Sequence, residues 1–242
     1  MTVGGAPATK AARQVDADEP IVVLGPPARF VGRGGEKLDA ALAGFEVEVT
    51  GRRAYDLGSS TGGFTDCLLQ RGAASVVAVD VGYGQLHERL RTDPRVEVHE
   101  RTNVREVAPG DLGALADILV ADLSFISLRT VLPAIVPLGV PGADVVALVK
   151  PQFEAGREEA ARGRGVITDP TIWRRVLDEV AGALAGLETA IMGAMASPLT
   201  GADGNVEFLV HACTPGAGTQ PPAPQVEGLI AAAVDVALER RS

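Results

Sequence analysis

Short apolar runs alternate with amphipathic segments along most of the chain. Strands are expected where apolar and β-branched residues run together, and helices where apolar residues return every three or four positions. The predicted strands are 53–57, 75–79, 96–99, 117–121, 144–149, 187–195 and 206–211; the predicted helices are 37–45, 65–71, 85–90, 128–136, 169–184 and 226–241. This alternation indicates an α/β fold with an open, mostly parallel sheet. The last two strands have no helix between them, so one of them should run antiparallel.

Breaks in this pattern mark the connecting segments. Residues 3–25 contain a glycine pair and two short apolar stretches, which predict a hairpin-like piece. Residues 152–168 are charged and glycine-rich and are predicted to form a loop, while 214–224 read as a proline-rich linker.

The amino-acid composition excludes several classes of protein. The chain has 242 residues, of which 46% are apolar and 22% charged, as in an ordinary globular protein. It shows neither a membrane-spanning apolar run nor the apolar core of a secretory signal. Cys67 and Cys213 form no disulfide framework and lack metal-ligand spacing, so we expect a cytoplasmic protein without a metal site. The net charge of −9 means that any nucleic-acid site has to be local.

A glycine-rich turn, DLGSSTGGF, joins the strand 53–57 to the next helix. Ser60 stands where the dinucleotide fingerprint requires its second glycine, which disfavours a pyrophosphate cradle. Asp56 precedes the turn, and Asp80 ends the next strand, where an acidic residue accepts hydrogen bonds from ribose hydroxyls. Two acids in this register suit a ligand with a ribose and a positive charge but no phosphate, namely S-adenosylmethionine.

Two more charged residues follow predicted strands, Asp122 after 117–121 and Lys150 after 144–149. The carboxyl ends of such strands line the ligand crevice. Only three of the 22 basic residues are lysines, and a lysine at the end of a buried strand is costly unless it is paired or used. We therefore expect Lys150 to be functional. The pattern alone does not show whether Lys37 faces the same crevice. For Glu207 it favours an orientation toward solvent.

Seven motifs occur in the order and spacing of a known family: DLGSSTGGFTD, VDVGYGQL, RTN, ADLSFISL, LVKPQFE, GRGV and GNVEF. Over residues 27–212 the sequence resembles the TlyA (haemolysin-A-like) family of FtsJ-type RNA ribose 2′-O-methyltransferases, which act on ribosomal RNA cytidines. The resemblance implies a Rossmann-like fold, S-adenosylmethionine as cofactor, and a catalytic tetrad of Lys37, Asp122, Lys150 and Glu207. The cofactor residues that it implies, together with the turn, are Asp56, Gly58, Ser59, Thr61, Gly62, Gly63, Phe64, Asp80, Val81, Asn103 and Asp122.

The resemblance also implies an organisation in three parts. Residues 1–26 correspond to the last hairpin of an N-terminal RNA-binding domain, 27–213 to the methyltransferase domain, and 214–242 to a linker and a C-terminal helix. The implied partner is ribosomal RNA or a ribosomal subunit. Lys150 is expected to act as general base or to orient the acceptor hydroxyl, while Asp122 and Glu207 hold the two lysines.

Local cations are expected to contact RNA phosphates. They are Arg29, Arg33, Lys37, Arg52 and Arg53 near or on the helix 37–45, and Arg157, Arg162 and Arg164 in the segment after Lys150. Three alternatives stay open: a methyltransferase of a small hydroxylated molecule, which the acidic charge favours; a membrane-active haemolysin, which the lack of a spanning segment opposes; and a catalytically silent RNA-binding factor.

Overall fold

The computed structural model describes residues 1–10, 12–22, 28–216 and 223–241. The strands are β1 (Thr2–Val3), β2 (Ala6–Pro7), β3 (Ile21–Val22), β4 (Arg53–Leu57), β5 (Ser75–Val79), β6 (Val96–His99), β7 (Ala116–Ala121), β8 (Gly139–Val149), β9 (Ala190–Ala196) and β10 (Phe208–Cys213). The helices are α1 (Gly34–Gly44), α2 (Gly63–Gln70), α3 (Glu88–Arg91), α4 (Leu128–Ile135), α5 (Pro151–Glu154), α6 (Arg157–Arg162), α7 (Pro170–Ala185) and α8 (Ala223–Glu239). Short 3-10 helices span Val104–Glu106 and Val136–Leu138.

The central sheet has the strand order β6-β5-β4-β7-β8-β10-β9. Its pairs are parallel except that β10 runs antiparallel to both β8 and β9. The predicted α/β fold with one antiparallel strand near the C-terminus is thereby confirmed. The chain order reverses between β4 and β7, and ligands of such sheets bind outside the carboxyl ends of the strands at this point.

Helices cover both faces of the sheet because the central strands are apolar on both sides. On one face, α1, α2 and α3 bury an apolar cluster that includes Leu38 and Leu68. On the other face, α4, α7 and α8 pack around Trp173, whose ring lies edge-on to Phe208 with centroids 5.9 Å apart. The two cores hold the sheet rigid, so the loops at its carboxyl edge rest on fixed strand ends.

The small sheet β2-β1-β3 occupies the N-terminal residues, with β1 antiparallel to both neighbours. It corresponds to the hairpin-like piece predicted for 3–25, of which residues 11 and 23–25 lie outside the described residues. Within the described part of the chain, the helices are too short or too polar to cross a membrane.

The bounds of β4, β5 and β6 agree with the sequence prediction, but the predicted loop 152–168 is wrong in part. Its first residues form α5 and α6, both too short to show an apolar repeat. Pro151 begins α5 because its fixed φ suits the first turn of a helix. The segment 163–168 is a connection without regular structure, as expected.

Several other boundaries differ from the predictions. The helix predicted at 85–90 begins only at Glu88, because His87 caps it by accepting a hydrogen bond from Arg89 N at 3.2 Å. Strand β8 begins at Gly139 rather than Asp144, with a register shift against β7 that the sequence does not reveal. Glu207, predicted inside a strand, immediately precedes β10.

Candidate active site

Two adjoining cavities open at the carboxyl ends of the central strands, where the strand order reverses. The first, of about 240 Å³, is lined by Gly34, Gly58, Ser59, Ser60, Thr61, Gly63, Phe64, Asp122, Ser124 and Lys150. The second, of about 450 Å³, has an apolar wall that includes Val79, Val104, Leu123, Ile126 and Val131. Asp80, Val81 and Asn103 line this second cavity as well. Gly58, Ser60, Asp122 and Ser124 line both, so the two cavities form one continuous crevice.

The glycine-rich turn forms the floor of the crevice. Gly58 has φ +92°, and a Cβ added there would lie 2.6 Å from the carbonyl oxygen of Asp122. A Cβ at Gly63 would lie 2.9 Å from the backbone nitrogen of Gly35, so α2 approaches the start of α1 closely because residue 63 is a glycine. The turn therefore leaves its backbone open to a ligand.

Asp80 is held by the backbone on both sides of the crevice. Its Oδ2 accepts a hydrogen bond from Ser60 N at 2.8 Å, and its Oδ1 accepts one from Gly82 N at 2.6 Å. The carboxylate has further lone pairs, which can accept ligand hydroxyls. Asp80 thus links the glycine-rich turn to the loop after β5 at the position predicted for a ribose acceptor.

Asp56 lies beneath the turn rather than in the crevice. Its Oδ2 accepts hydrogen bonds from Thr65 N at 2.8 Å and from Thr65 Oγ1 at 2.6 Å, while its Oδ1 has no hydrogen-bond partner. Complete burial raises the pKa of Asp56 to about 7, because desolvation disfavours the charged carboxylate; the negative charge of Asp122 also raises it. Asp56 therefore supports the start of α2. Its charge would act on a bound ligand only electrostatically, without direct contact.

Lys150 and Asp122 meet in the crevice from neighbouring strands. Lys150 follows β8 and Asp122 follows β7, and the Lys150 ammonium lies 2.6 Å from Asp122 Oδ1. The same ammonium donates a hydrogen bond to Ser124 Oγ at 2.8 Å. Lys150 is only 9% exposed, so its amine is held in place by two polar partners at the edge of the first cavity.

Lys37 and Glu207 form a second buried ion pair beside the first. The Lys37 ammonium contacts Glu207 Oε2, and both residues are buried. Gly34 lies one turn before Lys37 on α1, lines the crevice, and would place a Cβ 3.7 Å from Asp122 Oδ2. Glu207 therefore faces inward, which corrects the solvent-facing orientation that its strand pattern favoured.

Glu154 joins the segment that carries Lys150 to the segment that carries Asp122. It is 4% exposed; its Oε1 accepts a hydrogen bond from Leu128 N at 2.6 Å, and its Oε2 accepts one from Ser127 Oγ at 2.5 Å. A carboxylate at the N-terminus of a helix is stabilised by the free backbone N–H groups there. Glu154 thus fixes the start of α4 relative to α5.

Asn205 makes the corresponding connection to Glu207. Its Nδ2 donates to Gly165 O at 2.8 Å, and its Oδ1 accepts from Ile167 N at 2.9 Å. The segment after Lys150 is therefore bonded at one point to the Asp122 loop and at another to the Glu207 loop. These two side chains bring three separate segments of the site into one arrangement.

A family model described as FtsJ-like methyltransferase matches residues 30–213. The chain belongs to this family. A relative from Mycobacterium tuberculosis, named 16S/23S rRNA (cytidine-2′-O)-methyltransferase TlyA, is 50% identical over 211 residues, covering 87% of this chain and 78% of the relative. Hemolysin A of Brachyspira hyodysenteriae is 37% identical over 184 residues, covering 76% of each chain.

The fold also matches a solved structure, a candidate hemolysin from Streptococcus thermophilus. The TM-score is 0.81 with 40% sequence identity, and the match covers 90% of this chain and 78% of the other. The family resemblance and the fold predicted from the sequence are thereby confirmed. The chain is a methyltransferase of the FtsJ-like family.

Most of the residues predicted for the site lie together in the structure. Gly58, Ser59, Thr61, Gly63, Phe64, Asp80, Val81, Asn103, Asp122 and Lys150 line the crevice. Gly62 does not line it: with φ +96°, a Cβ there would lie 2.3 Å from Leu90 Cδ1, so this glycine is required for packing against α3. Lys37 and Glu207 form their pair behind the lining residues.

Several residues of the site were not among those predicted from the sequence. Ser124 holds Lys150, and Phe125, 91% exposed at φ +64°, stands at the mouth of the crevice. Both belong to the ADLSF motif, and a polar and an aromatic residue directly after Asp122 were the available signal. Glu154 and Asn205 carry no signal in the sequence, since their partners are distant in the chain.

Proposed function

We propose that this protein transfers a methyl group from S-adenosylmethionine to the ribose 2′-hydroxyl of cytidine in ribosomal RNA. The observation that carries the proposal is the Lys150–Asp122 ion pair at the edge of a crevice whose floor is a glycine-rich turn. The substrate class follows from the relative named 16S/23S rRNA (cytidine-2′-O)-methyltransferase, which is 50% identical to this chain.

The crevice fits S-adenosylmethionine in shape and in charge. The apolar wall of the second cavity suits an adenine ring, and Asp80 offers lone pairs for ribose hydroxyls. Gly58 and Gly63 keep the floor free of side chains, while Asp122 places a negative charge near the expected sulfonium. When bound, the cofactor supplies an activated methyl group on a positively charged sulfur.

The acceptor hydroxyl would meet Lys150 at the edge of the first cavity. Lys150 acts there as the general base or as the group that orients the hydroxyl. Asp122 and Ser124 fix its amine in one position, which supports the alignment that an in-line transfer needs.

Lys37 and Glu207 complete the charge balance of the site. Two lysines and two carboxylates are paired at close range, so neither cation is buried without a counter-charge. Lys37 projects from α1, and Gly34 of the same helix lines the crevice, so Glu207 holds Lys37 on an element that borders the site.

RNA contacts have to come from the rim, given the acidic chain. Arg33 is exposed at the start of α1, where it donates to Thr200 O at 2.6 Å, and Arg162 and Arg164 are exposed after Lys150. The expectation for Arg52 and Arg53 is wrong, because Arg53 begins β4 and Arg52 directly precedes it, at the end of the sheet opposite the crevice. Arg29 is paired with Asp39, and the side chain of Arg157 lies outside the described residues.

Transfer of radiolabelled methyl tests this proposal. The protein is incubated with labelled S-adenosylmethionine and, in separate reactions, intact ribosomal subunits, deproteinised ribosomal RNA or a small-molecule extract. We expect label in the RNA of subunits and none with the Lys150→Arg variant. Label only in the small-molecule fraction would indicate the small-molecule alternative. Dye leakage from liposomes without any methyl transfer would indicate the haemolysin alternative.

A further inference from the structure

Three side chains with metal-binding atoms converge at the end of the sheet opposite the crevice. Asp144 lies on β8, and His211 and Cys213 lie on the neighbouring strand β10. Cys213 is the direct cross-strand partner of Asp144, and His211 precedes it by two residues, so both project from the same face of β10. The cluster is built on paired strands rather than on a loop.

The donor atoms are already close to the spacing of a metal site. His211 Nε2 lies 2.7 Å and Cys213 Sγ lies 3.7 Å from the same oxygen, Asp144 Oδ1, and all the donor atoms lie within 4.8 Å of one another. Ligands around a tetrahedral Zn²⁺ at ordinary bond lengths are about 3.3–3.8 Å apart. Small side-chain rotations are enough to reach that spacing from the observed one.

The neighbours of the cluster hold these ligands in position. Arg52 Nη1 donates to Asp144 Oδ2 at 2.7 Å, which leaves Oδ1 directed at His211 and Cys213. The His211 ring stacks on Phe45 with centroids 5.4 Å apart. The positive charge of Arg52 disfavours the binding of a cation. The Asp144 carboxylate and the Cys213 thiolate together carry two negative charges, which exceed the one positive charge of Arg52. A partner that orients a ligand carboxylate in this way is typical of metal sites.

We propose that Asp144, His211 and Cys213 bind a Zn²⁺ ion, with solvent as the fourth ligand. A nitrogen, an oxygen and a sulfur donor form a set that suits Zn²⁺ and the related Co²⁺ better than Mg²⁺ or Ca²⁺. The metal takes the place of the hydrogen between His211 Nε2 and Asp144 Oδ1. The imidazole binds as the neutral tautomer with its proton on Nδ1, and any second imidazole proton and the proton of the Cys213 thiol pass to solvent.

The site is separate from the methyl-transfer crevice. Asp144 and Lys150 lie on and directly after one extended strand, about 20 Å apart at roughly 3.3 Å per residue. Its role is to fasten β10, the antiparallel strand that leads from Glu207, to β8, which leads to Lys150. No metal-ligand spacing is visible in the sequence, because Asp144 lies on β8 while His211 and Cys213 lie on β10, far away in the chain.

Binding of Co²⁺ tests the site through its colour. The full chain, stripped with a chelator under reducing conditions, is titrated with Co²⁺ and then with Zn²⁺. We expect a thiolate-to-cobalt charge-transfer band that saturates at one equivalent and disappears when Zn²⁺ is added. In the Cys213→Ser variant the band is absent and Zn²⁺ affinity falls at least about 100-fold, since a ligand is lost. The matched Cys67→Ala variant keeps the band, because Cys67 is buried away from the cluster.

Thermal unfolding is a second measurement of metal binding, and it requires no variant. Saturating Zn²⁺ raises the Tm of the wild-type chain by about 5 °C or more, whereas Mg²⁺ leaves it unchanged. A wild-type chain without the cobalt band and without a zinc-dependent rise in Tm would overturn the proposal, as would a band that persists in Cys213→Ser. The cluster would then be an ion-pair network of Arg52, Asp144 and His211. Neither reading involves methyl transfer, so the proposed activity stands or fails independently.

Discussion

Lys150 and Asp122 form an ion pair at 2.6 Å although 28 positions separate them in the chain. The pair is a consequence of sheet register: β7 and β8 are parallel neighbours, and each residue directly follows its strand. Ser124 then fixes the lysine from the same loop as Asp122. The amine at the edge of the crevice is therefore placed by backbone geometry rather than by a flexible surface loop.

The Lys150→Arg substitution separates positive charge from proton acceptance. Arginine keeps the ion pair with Asp122 but cannot lose its proton near neutral pH. We expect cofactor affinity, measured by calorimetry, to stay within about threefold of wild type, while the single-turnover rate of methyl transfer falls by about 100- to 10,000-fold. An active arginine variant would restrict the role of Lys150 to orienting the hydroxyl.

The Asp80→Ala substitution should weaken cofactor binding. It removes the predicted ribose acceptor and the hydrogen bonds from Ser60 N and Gly82 N that join two loops of the crevice. A loss of about 2 kcal/mol, or roughly 30-fold in Kd, is expected for hydrogen bonds to a charged group. Calorimetric titration with S-adenosylmethionine measures this. An unchanged Kd would exclude Asp80 from the cofactor site.

Glu154→Gln tests whether this residue positions the catalytic loops. The amide keeps the size of the side chain but loses the charge that faces the start of α4 and the acceptor of one hydrogen bond. We expect kcat to fall about tenfold with little change in cofactor Kd, because the crevice wall itself stays intact. Glu159→Gln is the matched control and should keep wild-type kcat. Glu159 lies on the adjacent α6, forms an ion pair with Arg175 and accepts a hydrogen bond from Gly156 N, and neither partner lines the crevice. Equal effects of the two substitutions would refute the positioning role.

Asp56 should make stability depend on pH. Burial raises its pKa to about 7, so the folded protein keeps this proton up to about pH 7, whereas the unfolded chain releases it near its ordinary pKa of 3.8. Between these values the folded state binds more protons, and rising pH therefore lowers the free energy of unfolding. Asp56→Asn removes this contribution and still offers an acceptor to Thr65.

The measurement for Asp56 is the difference in Tm between Asp56→Asn and wild type at several pH values. Between pH 5 and pH 7.5 we expect the Tm of the wild type to fall by several degrees relative to the Tm of Asp56→Asn. The raised pKa of Asp56 corresponds to a few kcal/mol of pH-dependent stability, which the variant lacks. A difference that does not change with pH would show that Asp56 has the same pKa in both states.

The strands and the positions of Asp80, Asp122 and Lys150 follow from the sequence because each is a local pattern. An unbroken apolar run predicts a strand, and a charged residue directly after it must lie at the carboxyl edge of the sheet. The glycine-rich turn is also a local pattern that predicts its own conformation. Gly58 has a positive φ and lies against the backbone of Asp122, and both features favour glycine.

Contacts between distant segments could not be predicted in this way. The alternation around Glu207 indicates a surface residue, yet its carboxylate pairs with Lys37 across the fold. Gly62 looks like part of a ligand cradle, but its missing side chain makes room for Leu90 of α3. Only the family resemblance signalled the role of Glu207, and the helices α5 and α6 are too short to show a repeat.

The position of the methyl group on the product nucleoside tests the central claim most directly. Ribosomal RNA methylated by the protein is digested to nucleosides, and the methylated species is fragmented in a mass spectrometer into base and sugar. The account predicts 2′-O-methylcytidine, with an unmodified cytosine base and the methyl group on the ribose, and no such product from Lys150→Arg. A methyl group on the base, or no methylated nucleoside from intact subunits, would contradict it.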